Sequence, residues 1–511
     1  MNVGVDSPLD RRASSGTNLC PGNRVRYKWT NGRACGFLWT TRVASHRRDR
    51  DVRVLLVYPT PSRSGGAAMI PKLGLGYLAT ALRGAGHVVA LLDREQVGVT
   101  EEVAARVLSD PWDLVGFQVF NNGLRSFRQD LAFLKRLRPG TKTLAGGPLA
   151  SGLPDWLLAR HPNLDFVVRG EAEESLVALV RALESGGDLS SIPGVLFREG
   201  EGIRQGPAPR APDLDRLGIP AWDLMPPGAY PMAPVGGLAR AFPVAPIITS
   251  RGCAFACPYC AARVIHGRGM RFRSPAGVLA EMEELVRKWG AREIQVLDDC
   301  FGYDRAQADE LMTSYARMPW KVPMSFPNGM RLDQVDEDLM RRMEAAGVHT
   351  ITFGIDFGSD RMLKRMNRRM TVADIRRNLA MIRRTTRIRL TGNFILGHFQ
   401  DTVEGMEETI RLARELPLDR AHFSAYVPIP GTPDWNRLGG LEALGTLGLE
   451  DMDFYSFGLP HPEISREVLV GLKRKAYLEF YLHPRRLLQL LLDVRRPENW
   501  VHLWKKARWY V

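Results

Sequence analysis

The sequence predicts two α/β units in series, an open, doubly wound parallel sheet followed by a partial (β/α)6 barrel of the TIM type, and then a helical C-terminal region. Three observations predict this. Short apolar strands alternate with amphipathic helical stretches from Val52 onward, a proline-rich stretch over 200–245 divides that alternation, and the second run holds six strand candidates rather than eight. With 511 residues, 45% hydrophobic and 25% charged, the chain is long enough for two or three cores. No apolar run approaches the roughly 18 to 20 residues that cross a bilayer. The six cysteines are too sparse for a disulfide scaffold and fit a reducing compartment, so a cytoplasmic location is expected.

Before Asp51, ten basic residues stand against Asp6, Asp10 and Asp49, a net of seven that is half of the formal charge of +14. This Arg- and Ser-rich stretch has no period, so residues 1–51 read as a disordered or mis-assigned extension whose composition overlaps that of transit peptides. With half of the excess there, no nucleic-acid partner is expected. VRVLLVYP is then a buried strand ending in a proline turn, and LGLGYLATALRGAG is the helix that follows. LVGFQV, TKTLAGGP and LDFVVRGEAEE are further strands, each running into Gly, Asn or Pro, with FRQDLAFLKRLR a helix among them. Ligands of such sheets sit outside the carboxyl ends of the strands, here at 58–61, 117–122, 146–148 and 170–171. His87 and His161 lie off these tips and read as surface residues.

Residues 200–245 read as an extended linker. The six strand candidates beyond it are 246–250, 293–298, 322–326, 349–355, 388–396 and 420–427. The first helix among them is well defined: Ser274 caps it, Pro275 fits its first turn, and Val278, Leu279, Met282, Leu285, Val286 and Trp289 share one face before Gly290. Residues 246–435 make up the barrel and 436–511 the helical region. The terminal VHLWKKARWYV reads as a capping helix with snorkelling lysines, so membrane association is not expected.

The stretch CAFACPYC follows the first barrel strand directly and places Cys253, Cys257 and Cys260 on the rim where barrel chemistry sits. Thiolates are soft ligands, so the three should share a metal or a cluster. A Cys3His zinc site completed by His266 is one reading. A [4Fe-4S] cluster is the other, and three thiolates would leave one iron open to a substrate or cofactor. Cys300 reads as a small residue filling the next tip, with a fourth ligand or a reactive thiol as alternatives.

The Cys-x3-Cys-x-aromatic-Cys order resembles the signature of radical S-adenosylmethionine (radical SAM) enzymes. The resemblance covers roughly 53–435. It implies that the open iron chelates S-adenosylmethionine, with Tyr259 beside the adenine. LDDCF resembles the acidic motif of the second strand and nominates Asp298 and Asp299, while PNGMRLDQVDEDLMRRMEAAG resembles the third-strand segment of the cobalamin-dependent branch and places Arg331 near the site. GIDFGSD stands where that branch reads GIESGS, and GNFILGHFQDT where it reads GFFILGFPGET. Asp356 and Asn393 are the cofactor-binding candidates there, and Asp356 and Asp401 replace the expected Glu. PIPGTPDW matches the usual end of the sixth strand.

The first unit, 52–199, similarly resembles the Rossmann-like cobalamin-binding domain of that branch through PKLGLGYLATAL, VGFQVFNNG, AGGPLASGLPDWLL and VVRGEAEESL, which nominates Asn121, Gly146 and Gly147. The Asp-x-His-x-x-Gly motif that gives cobalt a lower histidine is absent. The resemblance implies a [4Fe-4S] cluster, S-adenosylmethionine and cobalamin as cofactors and a methyltransferase acting on an unactivated carbon of a small molecule or natural product through a 5'-deoxyadenosyl radical and methylcobalamin. It also implies a low-potential electron donor such as ferredoxin or flavodoxin. An oxidative cyclase or rearrangement enzyme without methyl transfer, as in the anaerobic Mg-protoporphyrin monomethyl ester cyclases, is the alternative within enzymes; a cobalamin- or cluster-binding sensor is the alternative outside them. The motifs nominate no individual catalytic residue.

Overall fold

A computed structural model describes residues 29–30, 33–34, 52–60, 70–230, 239–444, 448–459 and 461–493. The expectations for 1–51 and for VHLWKKARWYV fall outside the described residues, apart from a short antiparallel pair, Trp29–Thr30 with Arg33–Ala34.

The first unit holds β1 (Arg53–Tyr58), β2 (Val88–Asp93), β3 (Leu114–Gln118), β4 (Lys142–Gly146), β5 (Phe166–Val168), β6 (Val195–Glu199) and β7 (Gly202–Gln205) in the order β2-β1-β3-β4-β5-β6-β7. The first five strands are parallel, and β6 and β7 close the edge as an antiparallel hairpin. The period of two sends β1 side chains to two separate cores. Leu55 and Val57 pack with Leu131 and Leu134 of helix Leu124–Leu137, while Val54 and Leu56 pack with Leu75 and Leu82 of Leu73–Gly84. The sheet is therefore covered on both faces, as a doubly wound sheet requires. The order in which strands are laid down reverses between β1 and β3, which puts the ligand crevice of such a sheet at Tyr58 and Gln118.

Three strands of this unit were not read from the sequence pattern, β2, β6 and β7. GHVVALLD is uniformly apolar, because a covered parallel strand has no polar face to alternate. The strand β7 lies in the stretch that reads as linker; its side chains are mostly exposed, so it carries no burial signal. The two histidines also differ from expectation. His87 and His161 are both buried, and His161 sits edge-on to Phe127 and Trp156 with Nδ1 2.7 Å from the Leu157 carbonyl.

The second unit is an open parallel sheet of β8 (Val244–Ile247), β11 (Glu293–Val296), β12 (Met324–Met330), β13 (Val348–Asp356), β14 (Arg389–Leu396) and β15 (Arg420–Ala425), in that spatial order. Ile294, Phe326, Ile351, Phe353, Phe394 and Phe423 point to the outer helices and form one core with them. Ser274 Oγ accepts from Gly277 N at 3.2 Å and caps helix Pro275–Arg287 as the sequence suggests. The free edge of β15 is covered by helix Arg466–Tyr481, whose Tyr477 and Tyr481 hydroxyls accept from the backbone N–H groups of Phe423 and Ala421.

One correction concerns the stretch before the cysteines. The first barrel strand ends at Ile247, and a separate hairpin follows: β9 (Ser250–Cys253) pairs antiparallel with β10 (Gly269–Phe272), Cys253 opposite Gly269. The cysteine loop is the closed end of this hairpin, not a direct extension of the barrel strand. The short helix Ala262–His266 inside it packs on Pro148–Gly152 of the first unit. Gly152 is required there, since a Cβ would lie 2.4 Å from the Pro430 carbonyl oxygen. Val427, Trp435, Leu449 and Met452 complete the contact by entering a core of the first unit.

Candidate cofactor site

Cys253 ends β9, and Cys257 and Cys260 lie in the following turn, where Cys260 N donates to the Cys257 carbonyl at 3.2 Å. All three are free thiols, none of them buried. Cys300 is buried and hydrogen-bonded to Cys253, which holds the Cys253 thiol below its ordinary value. Among the described residues no three His, Cys, Asp or Glu side chains converge as ligands of a single ion. His266 is taken by carboxylates, with Nδ1 2.8 Å from Glu171 Oε1 and Nε2 3.6 Å from Asp299 Oδ2. The Cys3His zinc reading has therefore lost its fourth ligand. Three thiols in one loop, with His266 taken by carboxylates and the buried Cys300 behind Cys253, fit a cluster with an open iron.

The acidic pair at the end of β11 divides its labour. Asp298 is buried and saturated: Oδ1 accepts from Thr249 N at 2.7 Å, and Oδ2 from the hydroxyls of Thr249 and Ser250 at 2.5 and 2.6 Å. Burial raises its carboxyl to about 6 despite these bonds. Asp298 thus ties the root of the cysteine hairpin to the barrel. Asp299, about one-third exposed, is the member of the pair that reaches the rim.

Arg331 lies beneath the cysteine loop, its guanidinium 3.6 Å from the Phe255 ring centroid. Nε and Nη2 donate to the Asp333 carboxylate and Nη2 also to the Arg368 carbonyl at 2.6 Å, while the buried Nη1 has no hydrogen-bond partner. An unsatisfied buried donor costs free energy unless an acceptor completes it, so this position suits an anionic group of a bound cofactor. Asp356 adopts a left-handed φ of 65°, accepts from the Tyr259 hydroxyl at 2.7 Å and forms an ion pair with Arg368, whose Nε lies 3.0 Å away. Tyr259 also meets Phe357 edge-on at 6.3 Å. Asn393 is half-buried in the middle of β14, in register with Gly354 and His422. Asp401 is buried, accepting from Thr402 N at 3.0 Å and Arg361 Nη2 at 3.3 Å, and burial raises its pKa.

Three groups of functional consequence were not read from the sequence. Arg368 reaches the cysteine loop, its Nη1 3.8 Å from Cys257 Sγ. The buried His398–Asp434 pair, at 3.1 Å, supports the same loop, because Asp434 N donates to the Pro258 carbonyl at 3.1 Å. Glu171 and Glu173, beyond β5, clasp the hairpin from the other unit. Arg251 donates to Glu171 at 2.7 Å and lies 2.8 Å from Glu173, and Arg271 and His266 complete the cluster. Burial alone would raise Glu171, but bonds from His266 and Arg271 and the charge of Arg251 bring it down to about 2. Only the two aspartate-replaced loops and the GEAEE tip hinted at these positions.

On the opposite rim, Gln118 and Gly146 are register partners, and Val119 N donates to the Gly146 carbonyl at 2.8 Å. Gly147 has a φ of 92° and leads into helix Pro148–Gly152. Asn121 opens a short 3-10 turn, its Nδ2 3.7 Å from Met452 Sδ. The small tips of the open sheet and the three-thiol loop of the barrel thus lie on adjoining surfaces.

This arrangement defines a class of two-unit α/β proteins in which a cluster-type thiol loop abuts the ligand edge of an open sheet. The Radical SAM superfamily model matches residues 247–413, and the B12 binding domain model matches 67–180. An uncharacterised methyltransferase of Pyrococcus horikoshii is 28% identical over 451 residues, covering 86% of this chain and 95% of that protein. The anaerobic magnesium-protoporphyrin IX monomethyl ester cyclase of Rubrivivax gelatinosus is 25% identical over 423 residues, covering 80% and 73%. Among solved structures, the radical S-adenosylmethionine methyltransferase TsrM from Kitasatospora setae, with cobalamin and a [4Fe-4S] cluster bound, superposes with a TM-score of 0.61 at 21% identity, covering 75% of this chain and 77% of that one. The chain thus carries a radical SAM domain over residues 247–413, preceded by a B12-binding domain over residues 67–180. Its cofactors are accordingly a [4Fe-4S] cluster, S-adenosylmethionine and cobalamin. Among the described residues no helix is long and apolar enough to cross a membrane.

Proposed function

We propose that this protein is a cobalamin-dependent radical SAM methyltransferase that methylates an unactivated carbon of a small molecule. The observation that carries the reading is the contact between the two cofactor edges: Pro148–Gly152, which follows Gly147, packs on Ala262–His266, which follows Cys260. When bound, the cluster and S-adenosylmethionine supply a radical able to take hydrogen from carbon, and cobalamin supplies a methyl group. The residues of the chain hold and shield these groups. Cys253, Cys257 and Cys260 bind the cluster; Arg331 and Asp299 offer a cation and a carboxylate to the two charges of the methionine moiety; Tyr259, held by Asp356, and Asn393 bound the nucleoside side. Asn121, Gly146 and Gly147 leave room for the corrin, because glycine tips admit close approach of a large ring. The similarity to a methyltransferase over most of both chains favours this over the cyclase reading.

A ferredoxin or flavodoxin is the proposed electron donor and the cytoplasm the proposed location. The test is anaerobic reconstitution with S-adenosylmethionine and a low-potential reductant. 5'-Deoxyadenosine together with S-adenosylhomocysteine supports methyl transfer. 5'-Deoxyadenosine without S-adenosylhomocysteine supports the cyclase class, and neither product supports a sensor.

A further inference from the structure

We propose that Arg368, opposed by Asp356, sets how readily the cluster held by Cys253, Cys257 and Cys260 accepts an electron. This rests on the cluster assignment above and concerns what tunes it. The Arg368 side chain is buried, at 8% exposure, and its three nitrogens have separate engagements. Nη2 donates to the Gly354 carbonyl, Nε faces Asp356 at 3.0 Å, and Nη1 is directed to Cys257 Sγ at 3.8 Å. Anchoring Arg368 to β13 needs only the first two. The third brings a permanent positive charge to a cluster ligand.

The backbone holds the charge in place. Arg368 lies between Asn367 and Arg369, whose φ values of 59° and 52° are both left-handed in residues that are not glycine. Such conformations persist where the surroundings over-determine them. Here Asn367 Nδ2 donates to the Ala256 carbonyl at 3.3 Å, inside the cysteine loop, and Arg331 donates to the Arg368 carbonyl. The guanidinium therefore moves with the thiols.

Reduction adds one negative charge to the cluster, taken from an external one-electron donor, and no bond to Arg368 forms or breaks. A buried cation beside a ligand sulfur stabilises that added charge, and a carboxylate behind it opposes the effect; net charge and contacts to sulfur are the protein's means of setting cluster potentials. The two residues therefore push in opposite directions. Removing Arg368 exposes the cluster to Asp356, and removing Asp356 leaves Arg368 unopposed.

The experiment is a redox titration of the reconstituted full chain, followed by electron paramagnetic resonance, with iron content measured for each variant. Arg368→Gln should shift the midpoint negative and Asp356→Asn positive, each by about 59 mV, a tenfold change in the one-electron equilibrium. Arg368→Lys, which keeps the charge, should shift less than Arg368→Gln. Shifts of the same sign, or no shift, overturn the proposal. Loss of iron in both Arg368 variants also overturns it, because the residue would then only hold the loop. A wild-type chain that takes up no cluster overturns the functional reading instead.

Discussion

The two rims that meet at the cofactor site are built by opposite means. The rim of the open sheet is made of backbone and small residues: Gly146, Gly147 at a φ of 92°, and Gly152 against the Pro430 carbonyl. The rim of the barrel is made of charges in fixed pairs: Asp298 with Thr249 and Ser250, Asp356 with Tyr259 and Arg368, Glu171 with Arg251, Arg271 and His266. One rim provides room and the other provides position. A large, preassembled ring needs a surface that admits it, whereas an inorganic cluster needs ligands that cannot drift.

Substitutions should separate these two modes, and the largest effect should fall on the ligands. Cys257→Ala should lose nearly all bound iron and all 5'-deoxyadenosine formation while leaving the secondary structure intact by circular dichroism. Glu171→Gln should come next. It leaves buried guanidinium groups under-compensated, so urea unfolding should show a loss of about 3 kcal/mol or more, whereas Glu171→Asp should recover part of it.

Asp298 gives a pH signature. Its carboxyl lies at about 6 in the folded chain against an ordinary 3.8, so the folded state binds the proton more tightly. That contribution to stability is fully present below about pH 4 and is lost as pH rises through about 6. Relative to Asp298→Asn, the wild type should lose roughly 3 kcal/mol across this window and then level off, which thermal melts at stepped pH would detect. Gly152→Ala tests the backbone rim. The new Cβ must displace the Pro430 segment, so a cost of about 1 to 3 kcal/mol and weaker retention of cobalamin on gel filtration are expected. Arg204→Ala, in an exposed pair with Glu199 on the hairpin β6–β7, should change stability by less than about 1 kcal/mol, and a larger loss would show that the hairpin matters more than its exposure suggests.

Sequence reading reached what local pattern encodes. The strands of the barrel, the capped helix after Ser274 and the thiol triad all follow from short-range spacing. Adjacent aspartates do not reveal which of them turns inward; that depends on Thr249 and Ser250, nearly fifty positions away, and the structure assigns Asp298 to the interior and Asp299 to the rim. Arg368 sits in the run NRRM, where no local pattern marks it. Its role becomes visible only when left-handed neighbours point it at Cys257. The clasp at Glu171 joins residues 80 to 100 positions apart in different units, so no window of sequence could contain it.

The closed hairpin around the thiols has a consequence for assembly. Residues 254–268 are bounded by the Cys253–Gly269 backbone pair, and Asp298 and Glu171 brace the two strands from outside; none of these bonds uses a sulfur atom. The chain entropy of ordering the loop is thus met by the scaffold before iron arrives. Zinc fingers gain their shape from the metal. Here the scaffold's own bonds frame the loop, so a chain stripped of its cluster should be able to take up a new one without refolding.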